Sequence, residues 1–162
     1  MRWIWIDKFL EFESGKRAVA LKVCSLAEEH LHDLYPAFPI VPHSLIVEGM
    51  AQTAGILVGE ARNFAEKVIL AKIGKASFHR LVRPGDSITY EATVDQLNET
   101  GASITGTVRI VGSDALIAEI ELMFSHIDNN LSGVKFPEHN FVFTEQFTEL
   151  VRNFRSASDV AI

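Results

Sequence analysis

The sequence predicts an α+β protein in which an antiparallel sheet wraps around a long central helix, with a further helix appended at the C-terminus. The central helix is indicated by an apolar run at residues 45–58, interrupted by Glu48 and Gln52. The sheet is indicated by several segments that alternate apolar and polar residues between turn sequences. With 162 residues, 48% hydrophobic and 22% charged, the chain is long and apolar enough to bury one core. A helix that is apolar on most sides must be covered by other structure.

The N-terminal part of the chain is predicted to be mostly extended. Residues 3–6 alternate tryptophan with isoleucine, and a turn sequence at residues 13–16 leads into an alternating strand at residues 17–25. Three prolines follow within residues 34–42. Each removes a backbone donor and disfavours helical angles in the residue before it, so a loop is expected to precede the helix.

The central helix is predicted to start with Ser44 as its N-cap and to continue to about Phe64. Its apolar run is too short and too polar to span a bilayer. Gly55 and Gly59 form a G-x-x-x-G pattern within it. In a soluble helix this pattern is more typical of close packing against a strand than of dimerisation in a membrane.

Strand patterns return after the helix. Four segments alternate in this way, at residues 68–78, 88–97, 102–111 and 115–126. Glycine, asparagine, aspartate and proline residues with turn chemistry separate them. The last three segments are close enough in the chain to form an antiparallel meander.

Residues 1–128 are predicted to form the main domain and residues 129–162 a C-terminal extension. A linker composition at residues 129–133 marks the boundary. Thr144 is positioned to cap a final amphipathic helix whose apolar residues recur at helical spacing, namely Phe147, Leu150, Val151 and Phe154.

Charge and composition exclude several functional classes. A net charge of −6 disfavours nucleic acid as the main partner, because phosphate binding requires a basic face. The N-terminus has no signal-peptide pattern, and the single Cys24 cannot form an intrachain disulfide. These features favour a cytoplasmic protein without a membrane partner.

The best candidate for chemistry is the pair Glu48 and Gln52. Burial in the most apolar segment favours the protonated carboxyl, which can donate a proton near neutral pH. Gln52 lies one helical turn later, where its amide can orient that carboxyl. The alternative is that Glu48 belongs to a solvated stripe of the helix.

The other candidate sites are less specific indications of function. His30 and His32 have the spacing that places two side chains on one face of a strand, but no further ligand cluster accompanies them. The free amides of His43 and Ser44 at the helix start can polarise a carbonyl, as at any helix start. Glycine-rich phosphate loops, nucleophile elbows and paired cysteines are absent from the sequence, so we expect neither a metal nor a cofactor.

A basic strip stands out against the acidic background. Between residues 67 and 85 there are five basic residues and no acidic one: Lys67, Lys72, Lys75, Arg80 and Arg83. The strip suits an acidic protein partner. A solvated strand edge protected by lysine and arginine is an equally good interpretation.

Several segments resemble the beta-hydroxyacyl-acyl-carrier-protein dehydratases. They are DKFLEFESGKRAVALK at residues 7–22, YPAFPIVP at 35–42, LIVEGMAQ at 45–52, KASFHR at 75–80, VRPGD at 82–86 and AEIELM at 118–123. The similarity runs in order through roughly residues 5–127 and leaves the tail uncovered.

The resemblance implies a hotdog fold whose active sites form where two chains pair. In that family a histidine works with a glutamate from the partner chain's helix, and the amide at the helix start binds the thioester carbonyl. Glu48 and Gln52 match the family's glutamate and the glutamine one turn beyond it. His43 stands where the family usually has glycine, and Leu34 occupies the position of the catalytic histidine.

The resemblance therefore implies a hydro-lyase of fatty acid biosynthesis that acts on thioesters of acyl carrier protein, as a homodimer or dimer of dimers. Glu48 and His43 are the expected catalytic residues; Leu34, Tyr35, Ser44 and Gln52 are expected to contact substrate. The carrier protein is expected to dock on Lys72, Lys75, Arg80 and Arg83. Because leucine cannot transfer a proton, two alternatives stay open: a non-catalytic acyl-thioester binding or accessory subunit, and a hotdog thioesterase.

Overall fold

A computed structural model describes residues 3–113, 115–127, 133 and 136–159. It contains one antiparallel sheet of six strands in the order β1-β2-β4-β5-β6-β3. The strands are β1 (Lys8–Glu13), β2 (Arg17–Val23), β3 (Val68–Phe78), β4 (Ser87–Leu97), β5 (Gly101–Ile110) and β6 (Leu116–His126). The helices are α1 (Glu29–Asp33), α2 (His43–Glu60) and α3 (Glu145–Asp159).

The predicted meander of β4, β5 and β6 is confirmed. The first turn is closed by the side chain of Asn98, whose Oδ1 accepts the backbone N–H groups of Thr100 (2.9 Å) and Gly101 (3.1 Å). One face of β4 is buried through Ile88, Tyr90 and Ala92, as strict alternation predicts.

Helix α2 lies directly on the sheet. Gly49 packs against the buried ring of Tyr90 so closely that a Cβ atom would overlap it. Gly55 faces Phe124 of β6, which confirms the predicted packing of a helix glycine against a strand. Burial also raises the pKa of the nearby Cys24 thiol to about 12, which makes this cysteine a packing residue.

The ends of α2 differ from the prediction. The helix begins at His43 with Pro42 as its N-cap and without a side-chain cap, so Ser44 is not the N-cap. It ends at Glu60 rather than near Phe64, because Asn63 and Phe64 adopt positive φ angles of 53° and 55°.

Among the described residues no helix is long and apolar enough to cross a membrane.

The short helix α1 was not predicted, and it changes the geometry of its histidines. Residues two apart on a helix do not share a face, so the shared strand face proposed for His30 and His32 is wrong. In the described part of the chain, no cluster of three or more histidine, cysteine or acidic side chains converges as metal ligands would.

The described residues 136–159, which belong to the predicted C-terminal extension, pack back onto β1 and α2. Helix α3 begins directly after Thr144, as predicted. Val151 is buried, and Phe154 lies 6.4 Å from the ring of Phe12 in β1. The predicted linker and the boundary after residue 128 lie outside the described residues, apart from Gly133.

We predict that Gly49→Ala lowers the free energy of unfolding by about 1–3 kcal/mol, the usual cost of forcing extra volume into a packed core. Gly55→Ala is the matched control on the same helix, since its new methyl group would meet Phe124 at 3.4 Å, an ordinary contact. Urea unfolding of both variants measures the difference. Equal losses in the two would contradict the close approach of α2 to Tyr90.

Candidate functional site

The carboxyl of Glu48, on α2, accepts hydrogen bonds from two side chains. The indole Nε1–H of Trp3 donates to Glu48 Oε1 at 3.1 Å, and the amide Nε2 of Gln52 donates to the same oxygen at 2.8 Å. Because both donors meet Oε1, the proton of a neutral carboxyl belongs on Oε2. The predicted pairing of Glu48 with Gln52 is confirmed.

Gln52 is itself fixed by the N-terminal segment. Its Oε1 accepts the backbone N–H of Trp5 at 2.8 Å, and its Nε2 also donates to the carbonyl of Trp3 at 3.1 Å. The N–H of Trp5 requires an oxygen opposite it, so the network determines which way the amide points. Gln52 is buried, and this satisfied network locks the geometry around Glu48.

Glu48 opens onto a largely apolar cavity of about 180 Å³. Helix α2 supplies one wall, through Glu48, Gln52 and Ile56, and Val68 and Leu70 of β3 supply another. Phe143 and Phe147, from the C-terminal extension, complete the lining. An acyl chain lying here would reach the carboxyl along a hydrophobic wall.

A second cavity of about 430 Å³ lies beside the start of α2. It is lined by Leu34, Ser44 and His30, and by the tryptophans of the N-terminal segment. Trp3 lines this cavity and also hydrogen-bonds Glu48, which lines the first cavity. Two of the predicted substrate-contacting residues, Leu34 and Ser44, are thus brought together.

Sequence reasoning missed Trp3 as a site residue, and it considered His30 only as half of a possible metal pair with His32. The alternation at residues 3–6 indicated extended chain but not its hydrogen bonds to α2. His30 packs edge-on against Trp5, with ring centroids 5.1 Å apart, and its Nε2 is buried without a hydrogen-bond partner among the described residues. Burial lowers the pKa of His30, an effect that the nearby carboxylate of Glu28 partly opposes.

His43 lies at the first position of α2, where its exposed imidazole stacks on Phe78 with ring centroids 3.9 Å apart. Five residues along a helix correspond to about 140° of rotation and about 7.5 Å of rise. Within one chain His43 and Glu48 therefore point to different sides of α2. The structure does not bring these two predicted catalytic residues together.

Leu34 and Tyr35 follow α1 and are both about half exposed. Pro42 provides no side-chain acceptor for the first turn of α2, which leaves the helix start without a side-chain cap. The amides of His43 and Ser44 are in this turn, beside the cavity that Ser44 and Leu34 line.

The basic strip is only partly a surface feature. Lys72, Lys75, Arg80 and Arg83 are exposed, but Lys67 is buried at 6% exposure and does not belong to that surface. Antiparallel pairing places Glu121 opposite Lys75, so the fold adds acidic groups that the local sequence lacks. Arg83 lies over the ring of Phe38 at 4.7 Å.

Comparison with known proteins identifies a family resemblance over most of the chain. The sequence profile of the FabA-like domain matches residues 3–121. A protein of Caldanaerobacter subterraneus named 3-hydroxyacyl-acyl-carrier-protein dehydratase FabZ is 35% identical over 123 residues, which cover 75% of this chain and 86% of the relative. The protein of the same name from Pelotomaculum thermopropionicum is 36% identical over 76% of this chain and 87% of its own length.

Solved structures share the fold at lower sequence identity. The dehydratase heterocomplex ApeI:P of Xenorhabdus doucetiae aligns with a TM-score of 0.62 at 13% identity, covering 76% of this chain and 83% of that one. A thioesterase of Haemophilus influenzae aligns with a TM-score of 0.57 at 16% identity, covering 71% and 74%. Such similarities establish the hotdog architecture, and a shared fold does not by itself determine the reaction.

We predict that the wild-type protein loses stability as the pH falls through the histidine range, and that His30→Gln reduces this loss. The lowered pKa of His30 means that the unfolded chain binds its proton more readily. The stabilisation is complete above the unfolded value of about 6.5 and declines as the pH falls towards the lower folded value.

Urea unfolding at about pH 7.5 and about pH 5.5 brackets the ordinary histidine pKa of about 6.5 and measures this loss. His32→Gln is the matched control, because it removes an exposed imidazole from the same short helix. An identical pH dependence in wild type and His30→Gln would contradict the assignment to His30.

Proposed function

The chain belongs to the FabA-like domain family, and we propose that it dehydrates beta-hydroxyacyl thioesters of acyl carrier protein in fatty acid biosynthesis. The observation that carries this proposal is the carboxyl of Glu48, fixed by Trp3 and Gln52 at the wall of an apolar cavity. The two donors fix Oε1, which leaves Oε2 to pass a proton to a leaving group while an acyl chain lies alongside.

The elimination requires one acid and one base. Glu48 donates a proton to the beta-hydroxyl oxygen as the carbon–oxygen bond breaks, and water leaves. A base takes the alpha proton, and the electron pair of that carbon–hydrogen bond becomes the new double bond. We assign the base to His43, whose exposed imidazole lies at the N-terminus of α2. The helix-start amides of His43 and Ser44 hold the thioester carbonyl and stabilise the negative charge that develops on it.

The proposed active site combines two copies of the chain. Glu48 and His43 lie on different sides of α2, so they can meet only across an interface. Strand β3 forms one edge of the sheet and exposes Ile69, Leu70 and Ile73, which suits pairing with a second copy. We therefore propose a cytoplasmic homodimer, or a dimer of dimers, in which His43 of one copy faces Glu48 of the other.

The remaining predicted residues have positioning or docking roles in this proposal. Leu34 and Ser44 contact the thioester end of the substrate at the second cavity, which both residues line. Tyr35, next to Leu34 in the chain and half exposed, contacts the substrate at the surface, and Gln52 orients Glu48. Lys72, Lys75, Arg80 and Arg83 form the docking surface for the acidic carrier protein, supported by their exposure. Lys67 is not included, because it is buried.

We expect Glu48→Gln to lower the rate of dehydration by roughly 10²- to 10⁴-fold, the usual contribution of general acid–base catalysis. The amide keeps the shape and accepts the same hydrogen bonds but cannot donate a proton from oxygen. His43→Ala is expected to lower the rate by a similar factor. The change in ultraviolet absorbance on interconversion of hydroxyacyl and enoyl thioesters measures both.

Two exposed positions provide matched controls for these variants. Glu145→Gln removes a carboxylate from the first turn of α3, and His32→Ala removes an exposed imidazole. Undiminished turnover in Glu48→Gln would remove the carboxylate from the mechanism, and in His43→Ala it would remove the relocated base. Release of free thiol without an enoyl product would instead indicate thioester hydrolysis.

A second candidate function is favoured by Leu34, which cannot transfer a proton. In this alternative the chain binds acyl thioesters without turnover, or pairs as an accessory subunit with an active dehydratase. We predict that Leu34→His is tolerated, because the side chain is 53% exposed. If the position has lost a base, the substitution should raise dehydration by roughly 10²-fold or more.

The same absorbance assay separates the two candidate functions. Turnover by the purified wild-type protein, abolished by Glu48→Gln, supports the enzyme. Saturable thioester binding without turnover in wild type, together with turnover gained in Leu34→His, supports the non-catalytic alternative. Leu34→Ala is the control for loss of the leucine side chain alone.

A further inference from the structure

The C-terminal extension contributes directly to the cavity beside Glu48. The family match ends at residue 121, so the extension is a feature of this chain beyond the shared domain. Val142, Phe143 and Phe147 nevertheless line the same cavity as Glu48 and Gln52. Two aromatic rings from outside the family domain therefore bound the space proposed for the acyl chain.

The ring of Phe143 packs directly on α2 at Gly59. A Cβ atom on Gly59 would overlap the Phe143 ring, so the absence of a side chain at Gly59 makes room for it. Phe64 packs edge-on against the same ring, with centroids 5.0 Å apart. The second glycine of the G-x-x-x-G pattern thus accommodates the extension, whereas the sequence predicted a strand at this contact.

Residues 140–155, which contain Phe143 and Phe147, are bonded to the rest of the protein near both ends. Asn140 donates from Nδ2 to the carbonyls of Phe64 (2.9 Å) and Glu66 (3.0 Å), and its Oδ1 accepts the backbone N–H of Val142 at 3.0 Å. Further along, Arg155 of α3 forms an ion pair with the buried Glu60 at the end of α2. The aromatic residues between these contacts are held against the cavity.

We propose that Phe143 and Phe147 close the acyl cavity and set the longest chain that it accepts. This inference rests on the proposed function, since it takes the cavity as the site of an acyl thioester. Phe143 lies on Gly59, eleven residues and about 16 Å along α2 from Glu48, so this wall of the cavity selects for length without taking part in proton transfer. A rigid aromatic wall limits length because the densely packed surroundings cannot expand to admit another methylene.

The experiment measures binding rather than turnover, with the full chain and saturated acyl pantetheine thioesters of increasing length. Saturated chains carry no hydroxyl to eliminate, so calorimetric titration reports occupancy alone. Wild type should gain affinity with each methylene up to a limit and then lose it. Phe147→Ala should move that limit to longer chains, with affinity roughly 10-fold or more above wild type for the first chain that wild type rejects.

Two further variants sharpen the comparison. Val142→Phe adds volume to the same wall and should move the limit to shorter chains. Phe147→Leu is a milder truncation, to be used if Phe147→Ala does not fold. Phe141→Ala is the matched control, because Phe141 belongs to the same segment but is 45% exposed and is not among the residues that line the cavity. It should leave the length profile unchanged.

Each outcome decides between distinct conclusions. Opposite shifts in Phe147→Ala and Val142→Phe support the inference. A wild-type protein that binds thioesters, but whose length limit does not move in either variant, overturns the inference and leaves the proposed function standing. Uniform weakening at every length also overturns it, since that result indicates a structural role. Failure of wild type to bind any thioester overturns the proposed function and the inference together.

Discussion

Helix α2 is apolar over most of its surface, and the need to cover all its sides governs the rest of the molecule. The sheet covers one side, where Gly49 lies directly on Tyr90. Residues 3–5 and the C-terminal extension cover other parts of it. Hydrophobic stabilisation grows with the apolar area removed from water, so segments from both ends of the sequence pack on this helix. The cavity beside Glu48 is the space that remains between α2, β3 and the C-terminal extension.

Glu48 and Gln52 are polar residues within the largely apolar middle of α2, and their hydrogen bonds link stability to chemistry. A buried amide such as that of Gln52 is costly unless it is hydrogen-bonded. Here the partners come from the N-terminal segment, which covers the helix and at the same time orients the carboxyl. The group proposed to donate a proton is therefore positioned by the same contacts that complete the core.

The family resemblance implies that Leu34 occupies the position of a catalytic histidine, and leucine cannot transfer a proton. The structure shows the carboxyl of Glu48 with its supporting glutamine, and two imidazoles near the start of α2. His43 is exposed at the entrance of α2, and His30 is packed against Trp5 in the wall of the second cavity. Leu34 lines the same cavity as His30 and Ser44, and there it adds apolar surface and no group that can transfer a proton.

The sequence by itself determined strands β2 to β6, the central helix and the pairing of Glu48 with Gln52, because alternation, apolar runs and i,i+4 spacing are local signals. It did not predict β1 (Lys8–Glu13), since the N-terminal alternation lies at residues 3–6, which form no strand in the structure. Local signals were weaker at the helix ends, where Asn63 and Phe64 adopt positive φ angles, and for α1, which has only five residues. Only the tertiary structure decided that Trp3 reaches Glu48 across 45 residues, that Phe143 fills the space over Gly59, and that Lys67 is buried. These contacts join segments far apart in the chain, and a local pattern shows that a helix must be covered without showing which distant segment covers it.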